Sequence, residues 1–307
     1  MDLSSSPSTL TTPTSDLQAA INRKAFLITA EVTPPKGSNV NHMLSQAKCL
    51  KGRVHAVNIT DGSRAVMRMS SLASACILKQ HDIEPICQVA CRDRNKIALQ
   101  ADLLGADALG IRNILALTGD PVKAGDCPTA KAVFDLESVR LLEVIRKLNN
   151  GMDANDRPLT DGATQLLVGA AVDPQLASWS SLQRRFERKV EAGAQFFQSQ
   201  LIVDFERLDK FMTQIAAPLG VPILAGIFLL KSAKNARFIN RNVPGVTIPD
   251  EIIARLEAAK DPLDEGVAIA AEQVRMAQDI CQGIHLMAVK REDLIPAILD
   301  RAGIAPL

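Results

Sequence analysis

Eight short runs rich in Ile, Val and Leu alternate with longer segments whose apolar residues recur at helical spacing, in a chain of 307 residues. These observations predict an α/β protein of the (βα)8 TIM-barrel class, folded as a single domain. The expected strands cover 26–32, 54–59, 84–90, 113–117, 165–171, 198–203, 222–228 and 284–288. Helices are expected at 66–80, 96–104, 136–148, 180–192, 208–217 and 266–281. A doubly wound sheet would favour a Gly-rich turn after its first strand. Here that turn is Val32-Thr-Pro-Pro-Lys-Gly37, with no G-x-G-x-x-G. Two segments interrupt the repeat. The polar stretch 149–164 belongs on the barrel's bottom face, and 232–260 carries two helical stretches punctuated by Pro244 and Pro249.

Composition narrows the function classes. Lys plus Arg at 35 against Asp plus Glu at 34 leave a net charge of +1, too balanced for a nucleic-acid or anionic-membrane footprint. No apolar run is long enough for a membrane span. Six cysteines in a chain able to bury its own core are expected as reduced cytoplasmic thiols. Residues 1–15 are rich in Ser, Thr and Pro and lack a basic residue, so a disordered tail over 1–18 is expected before a catalytic barrel over 19–307. With nine Phe, one Trp and no Tyr, a planar ligand would be gripped by backbone, aliphatic and polar groups.

Barrel chemistry sits at the carboxyl ends of the strands, which can be inspected in order. Glu31 interrupts the apolar first strand; burial would suit it to general acid work, and a salt bridge to a neighbouring strand is the alternative. The second strand ends with Asn58 and Thr60. The third runs into Arg92, Arg94 and Asn95, which could hold an anion or cap the next helix. Cys87 and Cys91 have no second pair or nearby His, so no metal site is expected. The fourth ends in Leu117-Thr-Gly-Asp120, where Gly119 would let a ligand approach the backbone or simply serve a turn. Gln198 and Gln200 place amides in the sixth strand. After the eighth come Lys290 and Arg291, able to meet a carboxylate or phosphate, while lone His285 fits a structural role better.

In order, these strand ends resemble those of the methylenetetrahydrofolate reductase family, from about Phe26 to Ile304. The resemblance rests on Ala30-Glu-Val-Thr-Pro-Pro-Lys36, Asn58-Ile-Thr-Asp-Gly62, Cys91-Arg-Asp-Arg-Asn95, Ala116-Leu-Thr-Gly-Asp120, the Arg188-Lys-Val-Glu-Ala-Gly-Ala194 segment with Gln200, and Val243-Pro-Gly-Val-Thr-Ile-Pro-Asp250. It implies a flavin-dependent oxidoreductase that reduces 5,10-methylenetetrahydrofolate to 5-methyltetrahydrofolate in one-carbon metabolism and methionine biosynthesis. Glu31 would be the general acid at N10, and Asp120 would tune the flavin and bind folate. Gln200, Thr60 and Arg291 would contact the substrate. Thr60, Gln88, Leu117, Thr118, Gly119 and Asp120 would line the flavin, with Arg185, Arg188 and Lys189 near its phosphates. The implied cofactor is FAD, with FMN as the alternative. NADH, NADPH or a partner subunit would supply electrons to a cytoplasmic homo-oligomer.

The sequence departs from the better-known bacterial members. Gln88 stands where they have His, Ala171 or Val172 where a Tyr is expected, and Met287 replaces another such residue. Met can cover a flat ring because its side chain is adaptable and polarizable. Two rival functions remain open at the sequence level: a pterin-binding methyltransferase barrel without flavin, and a subunit of a larger reductase complex.

Overall fold

A computed structural model describes residues 13–307 except residue 244. Eight parallel strands close into one barrel, β1 pairing with both β2 and β8. The strands are β1 (Leu27–Val32), β2 (Ala56–Ile59), β3 (Pro85–Ala90), β4 (Asn113–Leu117), β5 (Leu167–Val172), β6 (Phe196–Leu201), β7 (Ile223–Phe228) and β8 (Gly283–Met287). The predicted fold is the observed one. Side chains alternate across each strand. Ile28, Ala30, Val57, Ile59, Ile114, Val168 and Ile284 join the large core between strands and helices. The opposite set, Leu27, Ala56, Ile86, Leu115, Leu167, Phe196 and Leu224, fills the barrel interior.

That interior is closed from below by helix α1 (Asp16–Asn22), whose Leu17 and Ala20 pack on the same cluster. Ser15 caps α1 by accepting the Gln18 N–H, and its hydroxyl donates to Asn113 Oδ1. The expectation of a disordered tail through residue 18 is therefore corrected at its end; residues 1–12 lie outside the described residues. At mid-height Gly169 makes room for Phe196: a Cβ on Gly169 would sit 2.3 Å from the Phe196 ring.

The outer layer contains α2 (Asn41–Leu50), α3 (Ser71–Lys79), α4 (Lys96–Ala108), α5 (Ser138–Asn149), α6 (Trp179–Glu191) and α7 (Phe205–Phe211). It continues with α8 (Ala233–Asn242), α9 (Asp250–Ala258), α10 (Pro262–Ile280) and α11 (Ile295–Arg301). The two stretches expected in 232–260 are α8 and α9. The helix expected at 66–80 begins only at Ser71, because Arg64 and Ala65 adopt positive φ (57° and 54°) and Ser70 caps α3 by accepting the Ala73 N–H. The helix expected at 208–217 is α7 followed by a π-helical turn, Met212–Ala216, and Pro218 then prevents its continuation. Strand β6 starts two residues early because Phe196 and Phe197, both fully buried, belong to it. Helices α2 and α11 were not among those expected, though α2 buries Met43, Ala47 and Leu50 at helical spacing.

Candidate functional site

At the carboxyl ends of the strands the inward positions change from aliphatic to polar. One layer above the apolar cluster lie Thr29, Asn58, Gln198 and His285, each at most 4% exposed. Asn58 and Gln198 pair their amides, Asn58 Nδ2 donating to Gln198 Oε1 (2.6 Å) and Gln198 Nε2 to Asn58 Oδ1 (3.1 Å). Gln198 Nε2 also reaches Thr29 Oγ1 at 3.3 Å, and Thr29 Oγ1 lies 3.0 Å from His285 Nδ1. Buried polar groups are costly unless hydrogen-bonded, so this closed set anchors the floor of the mouth.

Glu31 stands above that floor, its side chain 21% exposed and Oε2 3.8 Å from His285 Nε2. A carboxyl so placed is largely shielded yet open to a ligand entering the mouth. The strand-to-base alternative is realised only in this long contact with His285. Thr60 follows β2, and its Oγ1 is buried without a hydrogen-bond partner among the described residues. Gln88 is buried on β3, and Leu117 is partly buried at the end of β4.

Beyond β4 the chain opens to solvent. Gly119 has φ 93°, and a Cβ there would lie 3.1 Å from Arg92 Cβ, so both conformation and space call for glycine. Thr118 Oγ1 accepts the Ser138 N–H and so supplies α5 with the cap that Glu137 does not provide. Asp120 is exposed; its Oδ2 accepts the Arg64 N–H at 2.6 Å, clasping the loop after β2 to the loop after β4. The second carboxylate oxygen of Asp120 has no contact in that clasp. The turn role and a ligand role for this residue are thus compatible.

A cavity of about 230 Å³ opens beside β5 and β6, lined by Ala171, Asp173, Arg185, Lys189 and Gln200 among others. The β6–β7 register shifts between Gln198 and Leu201, and such irregularities re-aim side chains. Gln200 is correspondingly exposed while its β6 neighbours are buried. Lys189 Nζ donates to the Ala171 carbonyl at 2.6 Å. Burial, and then the nearby Arg185 charge, lowers its pKa to about 8. Arg188 is not part of this lining; it turns to Glu137 at 3.4 Å. Arg291 lies past β8 and is held in a two-pronged pair with Asp293, both contacts 3.0 Å.

Because Lys189 gains its proton as pH falls through about 8, the cavity acquires a second cation beside Arg185 below that pH. Inorganic pyrophosphate should therefore bind more tightly at pH 7 than at pH 9. Lys189→Met should flatten the dependence. Calorimetric titration across this range checks it, and an equally steep pH dependence in the variant would remove Lys189 as its source.

The residues after β3 resolve toward the capping alternative. Asn95 Oδ1 accepts the Ile97 and Ala98 N–H groups at the start of α4, Arg92 donates to the Gly62 carbonyl and to Asp93, and Arg94 is paired with Asp61 and Asp102. Cys87 and Cys91 are free thiols, and burial pushes both up to about 12. Among the described residues no group of three or more His, Cys, Asp or Glu is placed to hold a metal ion, and no helix is long and apolar enough to cross a membrane. Sequence reasoning missed Thr29, whose only signal is a hydroxyl two residues before Glu31. It also missed Glu292, a buried acid directly after the basic pair Lys290-Arg291.

Residues 16–303 match the sequence profile described as methylenetetrahydrofolate reductase. The chain belongs to the methylenetetrahydrofolate reductase family. Methylenetetrahydrofolate reductase 2 of Schizosaccharomyces pombe is 28% identical over 80% of this chain and 40% of its own. Methylenetetrahydrofolate reductase 1 of the same yeast is 25% identical over 89% of this chain and 45% of its own. The chain thus spans less than half the length of these curated relatives. Among solved structures, the EDTA monooxygenase EmoA from Chelativorans sp. BNC1 superposes with a TM-score of 0.55 at 12% identity, covering 92% of this chain and 98% of its own. That likeness concerns the barrel alone.

Proposed function

We propose that this member of the methylenetetrahydrofolate reductase family reduces 5,10-methylenetetrahydrofolate to 5-methyltetrahydrofolate with the help of a flavin. The observation carrying the reading is Glu31: a mostly shielded carboxyl on the inner wall of the mouth, in a chain whose family match runs over residues 16–303. Opening the substrate's imidazolidine ring requires a proton at N10. Glu31 supplies that proton as the C–N10 bond breaks, leaving an N5 iminium whose methylene carbon accepts hydride.

The wall suits a flat cofactor. The unpartnered Thr60 hydroxyl, the Gly119 backbone, Gln88 and Leu117 offer polar and aliphatic surface, and the cavity cations Arg185 and Lys189 suit phosphate. Thr60, Gln88, Leu117, Thr118, Gly119 and Asp120 would hold the ring and ribityl portion, and Arg185 and Lys189 the phosphates, with Arg188 able to join only by leaving Glu137; two cations suit the pyrophosphate of FAD better than the single phosphate of FMN. When bound, the flavin supplies the hydride. Asp120 would place negative charge beside the ring while its free oxygen bonds the pterin. Gln200 would pair with the pterin amide, Thr60 would add a hydroxyl to the substrate face, and Arg291 would meet the folate tail's carboxylates. NADH, NADPH or a partner subunit replenishes electrons. Six free thiols agree with a cytoplasmic setting, and a homo-oligomer completes the proposal.

Product analysis tests the reading. Chemically reduced FAD as sole reductant should yield 5-methyltetrahydrofolate from the methylene substrate. No product with reduced FAD, NADH or NADPH would overturn the activity, and equal product from NADH or NADPH with FAD omitted would overturn the flavin assignment. Asp120→Asn should change the potential of bound FAD and the folate dissociation constant together; if spectroelectrochemistry and equilibrium binding find neither moved, the clasp to Arg64 is its whole role.

A further inference from the structure

The polar floor of the mouth has a direction. Gln198 donates through Nε2 to Asn58 and to Thr29 Oγ1, so the Thr29 hydroxyl accepts from Gln198 on one of its two lone pairs and still has its own proton to give. The acceptors in reach are His285 Nδ1 at 3.0 Å and the Ile284 carbonyl at 3.4 Å, and the shorter contact is the stronger. Accepting at Nδ1 leaves the neutral imidazole's proton on Nε2, the nitrogen facing Glu31.

We infer that Thr29 and His285 are positioning residues for the acid: the chain Asn58–Gln198–Thr29–His285 fixes the Nε2–H tautomer and aims that N–H at Glu31 Oε2, leaving the other carboxyl oxygen to the substrate. The separation of 3.8 Å is longer than a hydrogen bond, and catalytic contacts of this kind tighten when ligand is bound. The inference rests on Glu31 being the proton donor. Its consequence is electrostatic. An N–H donor aimed at that oxygen steadies the carboxylate formed once the proton has left.

Two other titratable groups lie in this region, Glu292 interacting with Glu31 and His42 interacting with Glu292. Glu292, in the turn after β8, is 4% exposed with Oε2 unpartnered among the described residues, and His42 lies on α2, which packs against that turn. Burial raises the Glu292 pKa, His42 lowers it to a smaller extent, and Glu31 raises it slightly. Glu292 thus gains its proton at higher pH than an exposed carboxylate and repels Glu31 less.

The chain has four His, so the imidazole nitrogens of labelled protein can be resolved, with His285→Gln identifying the signal of interest. Nitrogen-15 spectra of the wild type at pH 7 should show His285 as the Nε2–H tautomer. Thr29→Val should yield a tautomer mixture, and Thr29→Ser should restore the single form. In folate reduction Thr29→Val should lower kcat with little change in KM, and Thr29→Ser should restore it. An Nδ1–H tautomer in the wild type, or an unmoved tautomer and kcat in Thr29→Val, would overturn the inference even if that variant is the only one to fold poorly, since the wild-type spectrum stands alone. Full folate turnover in Glu31→Gln would instead overturn the assignment of the acid. Loss of turnover in Glu31→Gln with unchanged turnover in Thr29→Val overturns only the positioning role.

Discussion

Glu31→Gln is expected to lower the rate of folate reduction by about 10²–10⁴-fold, the range contributed by a positioned proton donor. Gln keeps the size and the hydrogen-bonding reach of the side chain but has no acidic proton for N10. The loss should appear in kcat more than in KM, because proton transfer belongs to the transition state and not to ground-state binding. The replacement sits at a partly exposed position whose side chain has, among the described residues, no structural task beyond its long contact to His285, so the melting temperature should move little. Steady-state kinetics with thermal melts provide the check. A KM increase at constant kcat would make Glu31 a binding group instead.

The largest stability effect is expected inside the barrel. Phe196 is fully buried, and its ring occupies the space left by Gly169 on the neighbouring strand. Phe196→Ala should cost about 3–5 kcal/mol by opening a cavity in a close-packed interior. Gly169→Ala alone should also destabilise, by about 1–3 kcal/mol, since its methyl would collide with the ring. Combined, the two changes should be less damaging than their sum, because the added methyl enters space vacated by the ring. Chemical denaturation of the three variants measures the coupling; strict additivity would mean that the ring moves freely away from Gly169.

Much of this architecture was legible in the residues. Eight β-rich runs gave the barrel because parallel strands buried on both faces must be continuously apolar, and Glu31 stood out as an acid within such a run. Asp120 was legible through the Gly119 beside it. Other features depend on contacts that periodicity does not encode. The Gln198–Thr29 bond joins residues 169 positions apart, so His285 looked isolated along the chain. Helix α1 has seven residues, too few to stand out after a Ser/Thr/Pro-rich segment, and it is stabilised by packing into the barrel's lower end. The basic helix α6 carries four cations, of which Arg185, Arg188 and Lys189 looked alike in the sequence. Only the fold separates Arg185 and Lys189, which line the cavity, from Arg188, which faces Glu137.

With no Tyr in the chain, the proposed flavin site relies on Thr60, Gln88, Leu117 and the Gly119 backbone, so the flavin is the point on which the account depends most. Anaerobic titration of the FAD-loaded protein with 5-methyltetrahydrofolate, followed by its visible absorption, tests it directly. The account predicts progressive bleaching of the oxidised flavin as the methyl group is oxidised, with NADH and NADPH titrated in parallel to identify the donor. An unchanged flavin spectrum under saturating 5-methyltetrahydrofolate, together with methyl transfer by flavin-free protein, would contradict it.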